Sequence, residues 1–444
     1  PGEIANSRYC GECHEEIFKQ WRSSQHHLAS FGNIFYRRAA LYTIERKGAI
    51  AFRFCAGCHD PTLLFSGQAE HPDKIDVEAP AALEGVSCVT CHAVRSSSNS
   101  GTASYVIERP KQFPFANHDN PKLRTINKLL IRLKPDVHRR SFLRPFHSDA
   151  EFCGACHKLT IEAAVNEFRW VRGYSEYDDW QRSGYSGQAV TPFYTAAEPK
   201  RCQDCHMPVV PSTDLVEASR GFVHDHRFLG SNTAVPLLRG DTDQFERVRK
   251  FLQGQVSVDN FALAQGERFI PPDRRDSRQV WMPLDRAQPL ITPGQVVVVD
   301  VVVRNRYVGH RFPAATLDLW DVWLEFTVTD STGKTIFSSG HLVDQGEVDP
   351  RAHFLRNRPL DRHGKRTDKS NRFDTVTILY DSSVPPGQAE VVHYQFRAPE
   401  GVRGPLTLRA RLNHRKYTPY FARWVFGGKP APGQEDRVNS KVDD

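Results

Sequence analysis

No stretch of about 18 consecutive apolar residues occurs in the 444-residue chain, which excludes an ordinary membrane-spanning helix. The chain opens at Pro1 with neither a charged leader nor an apolar segment, so the expectation is an exported protein whose signal peptide has been removed. Cysteine is equally confined. There are ten, each sits in a Cys-x-x-Cys pair followed by histidine, and none is left for a disulfide or a thiol nucleophile. Structural zinc and thioredoxin-like chemistry use Cys-x-x-Cys without requiring that histidine, so neither accounts for it five times over.

The five motifs are CGECH (Cys10, Cys13, His14), CAGCH (Cys55, Cys58, His59), CVTCH (Cys88, Cys91, His92), CGACH (Cys153, Cys156, His157) and CQDCH (Cys202, Cys205, His206). This is the spacing of covalent c-type haem attachment: each thiol adds to one porphyrin vinyl group, and the adjacent histidine is held under the iron as its proximal ligand. The implied cofactors are five haem c groups. Their attachment takes place outside the cytoplasm, so the expected location is periplasmic or extracellular. The formal charge of +7 suggests an acidic polymer as partner until the haems are included. About ten propionate charges against about five ferric ones bring the loaded chain to about +2, which removes the case for a nucleic-acid role.

All cysteines precede residue 206, leaving roughly one haem per 45 residues in that half, too little chain for an ordinary side-chain core. The fold class expected is mixed. A mostly α-helical or irregular multihaem domain with little sheet spans residues 1–235, an all-β immunoglobulin-like sandwich follows over 236–430, and a polar tail occupies 431–444. The sandwich rests on VVVVDVVVRN, DVWLEFTVTD, TVTILY, AEVVHYQFRA and LTLRARLNH, separated by turn signals such as DSTGK and SVPPGQ.

Five further histidines are put forward as sixth ligands: His26, His118, His147, His226 and His310. His26 lies 12 residues after His14, about 18 Å along a helix, so it is assigned to a different iron from the one His14 holds. His118, His138 and His147 share the longest motif-free stretch of this half. His118 and His147 are preferred to His138, with a solvent-facing or propionate-bonding role as the alternative for each. His226, rather than its neighbour His224, is chosen from GFVHDHRFLG, and His310 sits in a loop, GHRFPAAT, that could reach a haem edge. Met207 follows His206 directly and cannot complete the same iron. EYDDWQRSGYSGQ repeats WRSSQHH, with Trp180 and Ser183 matching Trp21 and Ser24, and Tyr185 standing where His26 stood.

As a set, C-x-x-C-H with W-x-x-S-x-H, GVSC-x-x-CH, EFCGACH, CQDCHMP with HDHRF-x-G, and GHRFP resemble the multihaem c-type cytochromes of the hydroxylamine-oxidoreductase and extracellular cytochrome lineage. The resemblance covers about residues 8–330. It implies mostly bis-histidine irons and stacked haems, matches His26, His147 and His226 to distal positions, and strengthens His310. The chain has no Cys-x-x-Cys-Lys motif of nitrite reductases. The resulting expectation is an exported pentahaem electron-transfer protein and not an enzyme, serving redox protein partners or other copies of itself. Two alternatives remain: a haem enzyme acting on a small nitrogen or sulfur compound at one five-coordinate iron, motivated by Tyr185, and the subunit of an extracellular cytochrome filament.

Overall fold

Each attachment motif coils, and the coil is what makes the motif work. In CGECH the amides of Cys13 and His14 both donate to the Cys10 carbonyl, at 3.1 and 2.9 Å, and CGACH repeats this around the Cys153 carbonyl at the same two distances. CVTCH and CQDCH are single helical turns, Cys88–His92 and Cys202–His206. A turn places residues three apart on one side, so both thiols and the histidine face the same way. The computed structural model describes residues 7–116, 118–188, 198–214, 221–266 and 279–428; the expected polar tail lies outside them.

Helix α1 (Glu15–Ser23) continues from CGECH, and α2 (Ile34–His59) carries CAGCH at its C-terminal end. The Asn33 side chain caps α2 by accepting from the Phe35 amide at 3.0 Å. Between CVTCH and CGACH run α3 (Pro121–Leu133) and α4 (Pro135–Phe142), each with proline in its first turn, where the missing N–H costs nothing. After CGACH comes α5 (Glu176–Arg182).

The repeat read in the sequence exists in three dimensions. Ser24 ends α1 with its amide on the Trp21 carbonyl, and Ser183 ends α5 with its amide on the Trp180 carbonyl, both at 2.9 Å. A short 3₁₀ turn follows in each copy, His27–Ala29 and Gly184–Ser186. The glycines of CGECH and CGACH are matched as well. A Cβ on Gly11 would lie 2.6 Å from the Phe18 ring, and one on Gly154 would lie 2.8 Å from the Tyr177 ring. Each aromatic stands three residues before the tryptophan of its copy, so close packing of motif against helix is the conserved internal contact.

Past α6 (Thr242–Leu252) the chain turns to strands. β1 (Val256–Gln265), β2 (Val280–Trp281) and β3 (Val296–Asn305) form one antiparallel sheet, which is completed further along the chain. β4 (Asp321–Thr329), β5 (Thr335–Ser339) and β6 (His353–Phe354) begin a second. β7 (Ala389–Arg397) pairs with β3, and β8 (Thr407–Arg415) pairs with β4 along its whole length. Period-2 alternation turns Val297, Val299, Val301 and Val303 of β3, and Val322, Leu324, Phe326 and Val328 of β4, into one shared core. Burying each such side chain contributes about 1.5–3 kcal/mol.

Two features differ from the sequence reading. The TVTILY run lies in neither sheet: Thr377–Asp381 pairs with Asn357–Leu360 as a separate ribbon. Strand β1, in contrast, was not anticipated although it lies between β3 and β2. Its alternation is broken by Asp259 and Asn260, where the register against β3 shifts between Asn260 and Ala262.

The two halves share a core. Helix α7 (Pro419–Val425), which was not read from the sequence, packs against the start of α2. Phe421, Ala422 and Val425 meet Leu28 and Phe35 from the haem-motif half and Leu317, Leu319 and Trp320 from the strand-rich half. Tyr417 stacks on Phe35 with ring centroids 3.9 Å apart.

Gly11→Ala and Gly154→Ala should each destabilise the protein by about 1–3 kcal/mol through overpacking. Thermal unfolding followed by visible absorbance checks this, and Gly364→Ala, where no side chain lies within 4 Å but φ is +74°, separates steric from backbone effects.

Candidate haem-binding site

All ten motif cysteines and all five motif histidines line a single cavity of about 1900 Å³. Its walls come from both halves of the chain, including Tyr105 and Tyr174 on one side and Tyr307, Pro313 and Trp320 of the strand-rich half on the other. The motifs do not meet in chain order. Hydrogen-bonding contacts between thiols join Cys10 to Cys88, Cys58 to Cys156, and Cys153 to Cys202. The linker between CAGCH and CVTCH is the shortest between consecutive motifs, which by itself would pair those two. Instead the closest thiol contacts link the first motif to the third, the second to the fourth, and the fourth to the fifth.

Four of the five motif histidines have an Nδ1 partner that fixes the ring. His59 donates to the Ala29 carbonyl at 2.8 Å, His92 to the Phe142 carbonyl at 2.9 Å and His206 to the Leu229 carbonyl at 2.6 Å. His14 differs: its Nδ1 lies 2.8 Å from the buried carboxylate of Asp214. With Nδ1 carrying the proton, Nε2 is the basic nitrogen, which is the tautomer that a metal ligand needs.

Opposite these histidines stand others at a telling separation. His138 faces His14 with ring centroids 6.3 Å apart and planes within 13°; His310 faces His206 at 6.2 Å and 13°. His26 lies 6.3 Å from His157 with its plane turned by 83°. Metal–nitrogen bonds of about 2 Å on either side of one ion put two imidazole centroids about 6 Å apart, so these three gaps each fit one. His226 has His92 as its strongest electrostatic neighbour, and its Nδ1 bonds the His224 carbonyl at 2.8 Å. Burial, reinforced by neighbouring imidazoles, lowers His26 to about 3 and His157, His226 and His310 to about 4. These rings are held neutral, as ligation requires.

The remaining expectations fall out differently. His118 is exposed and lies outside the cavity, its Nδ1 accepting from the Asn120 amide at 3.0 Å. His147 does line the cavity, but its ring sits edge-on to His92 at 5.3 Å and 89°, and its Nδ1 accepts from the Arg144 amide within its own turn. His138 takes the position opposite His14 that the sequence did not assign to it. A signal was present: Pro135 and Asp136 start a helix that sets His138 and Phe142 four residues apart on one face. Asp214, 200 residues from His14, had none. Tyr185 packs against Gly309 in the loop that carries His310, so the loss of a histidine at that repeat position does not leave CQDCH unopposed. Among the described residues the ring against His59 is Tyr36, stacked beside it at 4.5 Å, and no histidine faces it.

The loop bearing His310 is held from the strand-rich half. Buried Asn305, the last residue of β3, donates to the His310 carbonyl at 2.8 Å and to the Val384 carbonyl at 3.1 Å, and accepts from the Val308 amide. His310 in turn donates through Nδ1 to the Arg311 carbonyl.

A cavity walled by thiol pairs, each next to a histidine and four of those histidines with Nδ1 already bonded, suits covalently bound haem of the c type. The comparisons agree. The family model described as cytochrome c554 and c-prime matches residues 9–93. A search of curated proteins finds no match. Among solved structures, a penta-heme cytochrome c552 from Thermochromatium tepidum shares the fold with a TM-score of 0.56, at 17% identity, over 96% of this chain and 94% of that one.

His138→Ala should convert one low-spin signal to high-spin in the ferric EPR spectrum, while His118→Ala leaves the spectrum unchanged. Asn305→Ala, which touches no haem-facing ring, should give a partial conversion at one group by loosening His310.

Proposed function

We propose that this protein is an exported pentahaem electron carrier. Three irons would sit between imidazole pairs, His14 with His138, His157 with His26, and His206 with His310, and His226, whose strongest electrostatic neighbour is His92, is the candidate for a fourth. The observation that carries this reading is the recurring gap of about 6 Å between opposed histidine rings inside one cavity lined by every motif cysteine. Haem bound there supplies one-electron exchange at potentials set by its axial ligands and its burial.

The chain's own part is positional. The thiol contacts group the attachment sites into a pair, first with third, and a series, second with fourth and fourth with fifth, which keeps the groups within each set in close succession. Carbonyls of Ala29, Phe142 and Leu229 orient the proximal rings, and the strand-rich half, read as an immunoglobulin-like sandwich, closes the wall and supplies His310. No described helix is long and apolar enough to cross a membrane.

One observation favours a second reading for part of the site. His59 has no opposing histidine among the described residues, and Tyr174 and Arg372 line the cavity near the CAGCH cysteines. The group at CAGCH is then the place where a small ligand binds.

Ferric EPR and visible spectra should show four low-spin groups and one high-spin group, with cyanide or nitric oxide binding to one in five. Five low-spin signals would remove the open site, and two or more high-spin groups would count against the pairing above. Turnover of nitrite, hydroxylamine or a sulfur oxyanion at that group would make the protein an enzyme. Asp214→Asn should raise the midpoint potential of a single group in spectroelectrochemical titration, because a carboxylate on Nδ1 makes His14 a stronger donor and favours the oxidised iron.

A further inference from the structure

Helices α3 and α4 present a surface that the cavity does not explain. Along α3, Ile126, Leu129 and Leu133 recur at helical spacing and are 43%, 55% and 68% exposed; Val137 on α4 is 38% exposed. The charges around this stripe have one sign. Residues 121–144 hold eight lysines and arginines and a single acid, Asp136. Lys128 pairs with Glu12 and Arg144 with Glu108, while Lys122, Arg124, Lys134 and Arg140 have no carboxylate partner among the described residues. A cluster of exposed apolar side chains within unpaired cations has the anatomy of a transient binding face: a small apolar centre and a charged rim.

The place of this face gives it a purpose. Val137 in the stripe is the immediate neighbour of His138, whose ring stands opposite His14, and the Phe142 carbonyl at the end of the same helix holds His92. We infer that the α3–α4 face is the docking site for an acidic redox protein that exchanges electrons with the haem at CGECH. Each transfer moves one electron between the partner's cofactor and one iron, with no bond made or broken. A second copy of this chain is disfavoured as occupant, because a symmetric contact through the patch would oppose like charges. The inference rests on the electron-carrier reading, and the test separates the two.

Reduction of the ferric holoprotein is followed by stopped flow with two donors: plant-type ferredoxin, an acidic low-potential protein donor, and photoreduced flavin, a small donor. The triple variant Lys122→Glu/Lys134→Glu/Arg140→Glu should slow the ferredoxin reaction at low salt about tenfold and flatten its dependence on ionic strength. Leu129→Ser/Leu133→Ser should weaken saturation without changing the salt dependence. The flavin rate and the visible spectrum should stay as in the parent protein. A control reversal on the strand-rich half, Lys334→Glu/Lys365→Glu/Arg403→Glu, makes the same change in net charge and should leave the ferredoxin rate within twofold.

Equal slowing by the control would show overall charge alone and overturn the docking site, as would slowing of the flavin reaction by the α3–α4 variants. If those variants keep the ferredoxin rate but lose binding to vesicles containing phosphatidylserine, the face is a membrane surface and the inference fails. If they only abolish self-association in sedimentation, it is a contact between copies, and the inference fails again. Failure of the parent protein to accept electrons from flavin would refute the carrier reading itself.

Discussion

Five Cys-x-x-Cys-His motifs in about half of a 444-residue chain, all turned into one cavity, leave that half little polypeptide for a single side-chain core, and the rest of the architecture follows from that shortage. The motif-bearing half is a shell of helices, most of them short apart from α2, and ribbons around a cavity of about 1900 Å³, not a packed bundle. Beside one buried cluster around Phe31, Phe52 and Leu63, its order comes from contacts that grip the motifs themselves: glycines that let Phe18 and Tyr177 press against the CGECH and CGACH turns, and carbonyls that hold the Nδ1 atoms of the proximal rings. Burial then keeps His26, His157, His226 and His310 neutral, which is at once a cost of desolvation for a charged ring and the condition for binding iron.

The strand-rich half compensates for what the shell lacks. Its two sheets form a conventional apolar core, and the edge of that core continues through Trp320 and α7 into the start of α2. Because Asn305 ends β3 inside this rigid part, the His310 loop inherits its position from the sheet. A histidine on an unsupported loop would sample many orientations, and ordering it would cost conformational entropy at the moment of ligation. Attaching it to a sheet settles that cost during folding.

The internal duplication shows how one framework yields two outcomes. Both copies keep the tryptophan, the serine that ends the helix and the 3₁₀ turn after it. In the first copy the turn delivers His26 to His157, whereas in the second Tyr185 packs under the loop carrying His310. The local fold was retained while the histidine opposite the fifth motif came from elsewhere. Among the described residues it is His59 of CAGCH that has no opposing histidine, and the repeat gave no hint of it.

Spacing alone was enough to identify the ten cysteines and the five histidines next to them, because their chemistry is local: a helical turn fixes two thiols and an imidazole on one side whatever surrounds it. The alternation of β3, β4, β7 and β8 was legible for the same reason, since a strand with one buried face writes period 2 into its sequence. Strand β1 escaped because a register shift interrupts that period, and α7 because a seven-residue helix carries too few turns to declare itself. The opposed ligands belong to another category. His26, His226 and His310 stood out by motif, but whether His118, His138 or His147 faces an iron depends on how α4 lies across the first and third motifs. That is a matter of packing between residues 50 or more positions apart, as is the carboxylate of Asp214 on His14, 200 positions away. The sequence determined what could bind. Only the tertiary structure decided which histidines meet, because the two sides of an iron are joined through space and not along the chain.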